Sequence, residues 1–231
     1  MLEIIQAFCV LLYSSGKMLN TIAAKVLILD NNDSFTWNLA ELVRMSGLAE
    51  VIVRPTRSLD VIDLSEVNGV KLSPGPGLPS DFPEMRRLIL EQRGIPVLGI
   101  CLGHQAIAEA FGARLKPLDA VRHGKARKLD ILNHSGIFSG LPQGSSVGLY
   151  HSWVVSDDEL PEVFSITARD EDGVIMGLKH NHLPLEGLQF HPESVISMDG
   201  VQMMHNWLSE MKSLSQAEHS VVTSDGKSEP K

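Results

Sequence analysis

The chain is poor in several features, and each shortage excludes something. Only two of its 231 residues are cysteine, Cys9 and Cys101, and they lie far apart. Two such residues do not make a disulfide framework. They read as free thiols of a reducing compartment, so the expected location is the cytoplasm. No block of lysine and arginine occurs, and the formal net charge is −8. A nucleic-acid surface is therefore not expected. The apolar stretch Ile4–Tyr13 spans only 10 residues, against the roughly 20 that cross a bilayer, so no membrane partner is expected. A signal peptide would carry basic residues ahead of it, but the only early charge is Glu3, and Lys17 comes after. His180 and His182 have no carboxylate or thiol at ligand spacing. They read as a turn pair, and no metal site is expected. The glycine-rich stretch Ser73–Gly77 is not a phosphate loop, because no G-K-[ST] follows it and it is not G-x-G-x-x-G.

What is present centres on Ile95–Phe111, IPVLGICLGHQAIAEAF. An apolar run of strand length meets Gly99-Ile100-Cys101-Leu102-Gly103, and a helical pattern follows, stopped by Gly112. Strand, small residue, nucleophile, small residue, helix is the layout of a nucleophile elbow, here with Cys in place of Ser. Such a turn would set the sulfur at a helix N-terminus, where N–H groups and the helix dipole favour a thiolate. An unperturbed thiol is only roughly 3% ionised at pH 7, so that help matters. A lone Cys is otherwise ordinary core material. The downstream stretch LEGLQFHPE shifts the balance, because His191 ends an apolar run and Glu193 stands two residues on. Pro192 disfavours the α region for His191. In an extended segment the two side chains share a side, so the carboxylate can hold the imidazole tautomer. Cys101, His191 and Glu193 are thus candidate catalytic residues.

The remaining pattern gives the fold class. Lys25–Asp30 is a short apolar strand of the doubly buried kind. Asp33 or Ser34 is expected to cap a helix carrying Phe35, Leu39, Leu42 and Val43. Strands follow at Glu50–Arg54 and Val67–Leu72, then a helix with Met85, Leu88 and Ile89 inward. This alternation predicts an α/β fold with a parallel sheet and helices on both faces. From Arg114 onward the pattern changes to strands joined by turns, at Lys128–Leu132, Val147–Val155, Phe164–Ala168, Val174–Lys179 and Leu185–Phe190. That half is expected to be antiparallel or mixed. A last helix is expected over about Asp199–Met211. Residues 25–212 read as one domain and 213–231 as a disordered tail. The segment before Lys25 reads as an extension without a domain, with Met18 as an alternative start.

Two other stretches bear on chemistry. Ser73-Pro74-Gly75-Pro76-Gly77 is either a plain loop breaker or a rigid loop whose N–H groups face an oxyanion. Gln105 stands one helical turn after Cys101, so it is either solvated surface or part of the same cleft. Tyr150-His151-Ser152-Trp153 reads first as an aromatic edge of the core.

Taken in order, LDNNDSFTWNL, SPGPGLP, GICLGHQAIAEAFG, HGK at His123–Lys125, YHSWVV and LQFHPES resemble the class I glutamine amidotransferases with a Cys-His-Glu triad. Among these they resemble the small subunits that serve anthranilate and 4-aminobenzoate synthesis. The resemblance covers about Lys25 to Trp207. It implies a flavodoxin-like, three-layer α/β fold with a smaller antiparallel section. It implies L-glutamine as substrate, bound by Gly75, Pro76, Gly77, Gln105, Ser152 and Trp153, and oxyanion donors from the backbone of Gly77 and Leu102. It implies a chorismate-binding synthase partner that receives ammonia, with no cofactor in this subunit and Mg²⁺ in the partner. The anthranilate branch is expected first and the 4-aminobenzoate branch, or both, as the alternative. Trp153, Ala126-Arg127 and Asn133-His134-Ser135 depart from the family's usual residues, and these departures bear on subunit contact or activation. Two rivals remain. One is a stand-alone hydrolase of γ-glutamyl compounds. The other is a signalling module whose Asp30 and Asp33 form an acidic Mg²⁺ pocket.

Overall fold

The computed structural model describes residues 24–91 and 94–224. Expectations for residues 1–23 and 225–231 lie outside the described residues. Among the described residues nine strands form one sheet in the order β2-β1-β3-β4-β9-β8-β7-β5-β6. The first half comprises β1 (Ala24–Asp30), β2 (Ala49–Pro55), β3 (Gly69–Leu72) and β4 (Val97–Ile100). Each pairs in parallel with its neighbours, and β4 continues in parallel to β9 (Leu185–Leu188). Beyond that seam β8 (Ile175–His180), β7 (Phe164–Asp170), β5 (Leu115–Ile131) and β6 (Ser146–Val155) pair antiparallel.

Two helices cover each face. Strand residues alternate sides, so Val26 and Ile28 pack with one apolar cluster and Leu27 and Leu29 with the other. The first cluster takes α1 (Thr36–Met45) through Leu39, Ala40 and Val43, and α4 (Gly200–Ser224) through Met204, Trp207 and Leu208. The second takes α2 (Pro83–Glu91) through Met85 and Ile89, and α3 (Leu102–Ala110) through Ala106 and Ile107. This is a three-layer α/β arrangement. Four parallel strand ends and the β4–β9 seam therefore open on one rim, where ligands sit in such sheets.

Several expectations need correction. The last helix, expected to end at about Met211, runs to Ser224. No Gly or Pro occurs between Met211 and Gly226, so nothing in the sequence stops it. The first helix begins after Phe35, whose side chain makes no cap. Asp33 serves from two positions earlier: its Oδ1 accepts the Phe35 N–H at 2.7 Å. β5 is 17 residues long, whereas only its end was expected. Most of that strand is exposed and carries no apolar alternation; its ladder with β6 holds it.

Candidate active site

Cys101 sits between β4 and α3 at φ +52°, ψ −99°. Positive φ in a residue with a Cβ is strained, and strain of this kind collects at functional sites. The flanking glycines make the turn possible. A Cβ on Gly99 would run into the backbone of Gly103, and one on Gly103 would meet Leu72 at 2.6 Å. The sulfur lies at the first turn of α3, where the leading N–H groups have no intrahelical acceptor. Cys101 is only 6% exposed.

His191 arrives from the other side of the seam. Its N–H donates to Gly148 O at 3.0 Å, and its own carbonyl accepts from Ser197 Oγ at 2.5 Å. Edge-on contacts with Phe35 and Tyr150, at centroid distances of 5.2 and 4.9 Å, fix the ring plane. Nδ1 and Glu193 Oε1 are 2.7 Å apart. The contact comes from a turn, Ser194 N to His191 O at 3.1 Å, and not from the extended segment that the sequence suggested. Pro192 and Glu193 fold back because the chain must turn into α4, and that turn brings the carboxylate under the ring. Burial opposes charging of the imidazole. The Glu193 carboxylate, aided by the Cys101 sulfur, overrides it and holds His191 well above the usual 6.5. Nε2 is buried and has no hydrogen bond of its own.

Beside the sulfur is a cavity of roughly 170 Å³ lined by Gly75, Pro76, Gly77, Cys101, Leu102, Gln105 and the run Tyr150–Trp153. Every expected glutamine contact thus lines one space. The Ser73–Gly77 loop is held there by Asn31: its N–H donates to Ser73 Oγ at 2.9 Å and its Nδ2 to Ser73 O at 2.8 Å. Gln105 is buried and not solvated. Its Nε2 donates to Trp153 O at 2.8 Å and to Gln189 Oε1 at 3.2 Å. Gln189 in turn directs Nε2 at Cys101 Sγ, 3.7 Å away. His151 is in contact with the same Trp153 carbonyl through Nδ1 at 3.1 Å, and burial, partly opposed by that bond, pushes it down to about 4.

A family model, glutamine amidotransferase class-I, matches residues 27–211.

This chain is a class I glutamine amidotransferase.

Its relatives agree. The aminodeoxychorismate synthase component 2 of Escherichia coli is 41% identical over 186 residues, covering 79% of this chain and 98% of that one. The anthranilate synthase component 2 of Methanocaldococcus jannaschii is 42% identical over 176 residues, covering 75% and 86%. The aminodeoxychorismate/anthranilate synthase component 2 of Bacillus subtilis is 37% identical over 188 residues, covering 79% and 95%. In fold, the amidotransferase matches a solved glutamine amidotransferase from Thermotoga maritima with a TM-score of 0.64 at 21% identity, covering 86% of each chain.

The structure also weakens the signalling reading of this amidotransferase. Asp30 Oδ1 accepts from the N–H groups of Asn32 and Asp33 and from Thr36 Oγ1, and Asp33 Oδ1 accepts from Phe35. Both carboxylates brace the turn into α1. His180 likewise uses Nδ1 to accept the N–H groups of His182 and Leu183. Gln189 was missed from the sequence. Its one signal was an amide inside an apolar run, two residues before His191. Among the described residues no helix is long and apolar enough to cross a membrane.

Proposed function

We propose that Cys101, His191 and Glu193 hydrolyse the side-chain amide of L-glutamine, and that this chain is the glutaminase subunit of a chorismate-using synthase. The observation that carries the reading is the strained Cys101 turn beside an imidazole tied to Glu193 at 2.7 Å, at the wall of a cavity lined by all the expected substrate contacts. His191 Nε2 takes the thiol proton. The sulfur attacks the amide carbon, and the N–H groups of Gly77 and Leu102 stabilise the oxyanion; one such donor is worth about 3 kcal/mol. His191 protonates the departing ammonia. Water, activated by the same imidazole, then cleaves the γ-glutamyl thioester and releases glutamate. Glu193 keeps the proton on Nδ1 and stabilises the imidazolium.

The relatives' names support a synthase partner. In this reading the partner consumes the ammonia in the cytoplasm, Mg²⁺ belongs to the partner, and this subunit carries no cofactor. Anthranilate is the first reading. The similarity to the Escherichia coli and Bacillus subtilis proteins supports 4-aminobenzoate, or both products, as the second. Cys101→Ser tests the reading, since a hydroxyl lacks the thiol's acidity and softness. Glutamine-dependent synthesis by the complex should disappear while ammonia-dependent synthesis persists. Glutamate release retained in Cys101→Ser would remove the triad. Mass spectrometry of the partner that co-purifies from the native cell decides the branch.

A further inference from the structure

The ribbon of β5 and β6 loses its register beside the glutamine cavity. Pro117 lies opposite Trp153, and Arg122 lies opposite His151. The residues Leu118–Val121 therefore all face the single position of Ser152. An ordinary bulge inserts about one extra residue, and bulges beside active sites re-aim a side chain. Here the side chain at the end of the bulge is Val121. It lines the cavity of roughly 170 Å³ that holds Cys101 and Gln105. It also lines a second cavity of roughly 440 Å³, together with Leu118, Asp119, Arg122, Lys125 and Arg127. Among the described residues Val121 alone belongs to both linings.

The bulge is fixed from the next residue. Arg122 Nη1 donates to Asp170 Oδ2, and Nη2 donates to Asp172 Oδ2 at 2.8 Å. The Asp170 carboxylate is closed to solvent, and its Oδ1 accepts the N–H groups of Asp172 and Val174 at 3.0 and 2.8 Å. The anchor is thus itself held in the turn between β7 and β8. Arg127 Nε adds a second tie to Asp172 at 3.2 Å. Val121 by contrast is 67% exposed, so core packing does not call for its isopropyl group. The group stands between two spaces and is held there by its neighbour.

The cavity beside Cys101 is smaller than the roughly 300 Å³ at which pockets for drug-sized ligands begin, so it suits one small molecule. A substituent that outgrows it enters the larger space only past Val121. We infer that Val121 is a specificity-determining residue, which closes the glutamine cavity against its neighbour and so excludes derivatives larger than glutamine. The inference rests on the glutaminase reading above. It sets this site apart from that of a hydrolase of γ-glutamyl compounds, whose substrates carry such substituents.

Val121→Ala and Val121→Gly test it in the full chain with three substrates: L-glutamine, γ-glutamylethylamide and L-glutaminylglycine. The two analogues extend glutamine at its amide end and at its carboxylate end. Glutamate release is measured for the first two substrates and ammonia release for the third. One methylene that a pocket refuses is worth about 10- to 200-fold in kcat/KM. The kcat/KM of an analogue relative to glutamine should therefore rise by about tenfold or more in Val121→Ala, and further in Val121→Gly. A rise for one analogue supports the inference and identifies the end of glutamine that points to Val121. The side chain is exposed, so both variants should fold. Unchanged ratios for both analogues in both variants would overturn the inference, as would a wild-type chain that takes both analogues as readily as glutamine. Cys101→Ser separates the two readings. If it is inactive while the Val121 variants keep the wild-type ratios, only the role of Val121 falls; if it still releases glutamate, the triad falls.

Discussion

The parallel and antiparallel halves of the sheet supply different things to the same site. The parallel half brings Cys101 by local means. A four-residue buried strand, two glycines and a helix start fix the sulfur within a dozen residues of sequence. The antiparallel half brings the cavity walls and His191 by distant pairing. His191 is set by a bridge to Gly148, and Gln105 is held by the carbonyl of Trp153. The Cys101 turn can thus be written in a short motif, whereas the placement of His191 needs the register of several strands.

The sharpest way to break that comparison is to disable the antiparallel half's contribution alone. Glu193→Gln keeps the shape and removes the charge, so kcat should fall on the order of 10- to 1,000-fold with KM for glutamine nearly unchanged, because the Cys101 turn remains. Steady-state glutaminase assays with the partner present, with and without EDTA, measure this. Wild-type kcat in the variant would take Glu193 out of the site, and EDTA sensitivity of the glutaminase step would bring in a metal.

A second test sets one histidine from each half side by side. Burial pushes His104 of α3 and His151 of β6 down to about 4 each. Their unfolded value is near 6.5, so the unfolded chain binds more protons between pH 6.5 and 4, and stability drops as pH falls through that window. The loss is roughly 2 kcal/mol per histidine by pH 5. His191 is raised, so its contribution is already complete below 6.5 and does not offset the drop. Denaturant midpoints at pH 7 and pH 5 should differ accordingly. A flat profile would show that both rings are already charged or solvated.

The smallest effect is expected at Gln189, where the halves touch. Gln189→Leu removes one weak contact to sulfur and one amide bond to Gln105. A net loss of about 1 kcal/mol predicts a fall in kcat/KM of about three- to tenfold. A larger loss would make Gln189 part of the reaction.

How much could be read in advance follows the same division. The Cys101 turn was legible because G-x-C-x-G is a steric requirement written locally. The His191–Glu193 contact was legible as a pair, but its backbone was read as extended where it is a turn, since the demand for a turn comes from α4. The body of β5 was not legible, because an exposed ribbon needs no apolar period to hydrogen-bond with β6. Lys71 vanished inside an apolar strand, and only the packing shows that its amine lies fully buried against Trp207.

The position of β9 has a consequence for how the protein comes into being. It is the last strand to be synthesised, yet it lies in the middle of the sheet, between β4 and β8. A nascent chain that ends before Leu185 therefore holds two separate sheet edges facing a gap. Closing that gap requires pairing across nearly ninety residues of sequence from Val97 to Leu185, a long-range step of the slow kind. His191 and Glu193 follow within a few residues of that strand, so sheet closure and the arrival of His191 beside Cys101 are a single event. Until then the thiol has no imidazole beside it. A chain that stops short of β9 therefore has Cys101 without His191 and Glu193.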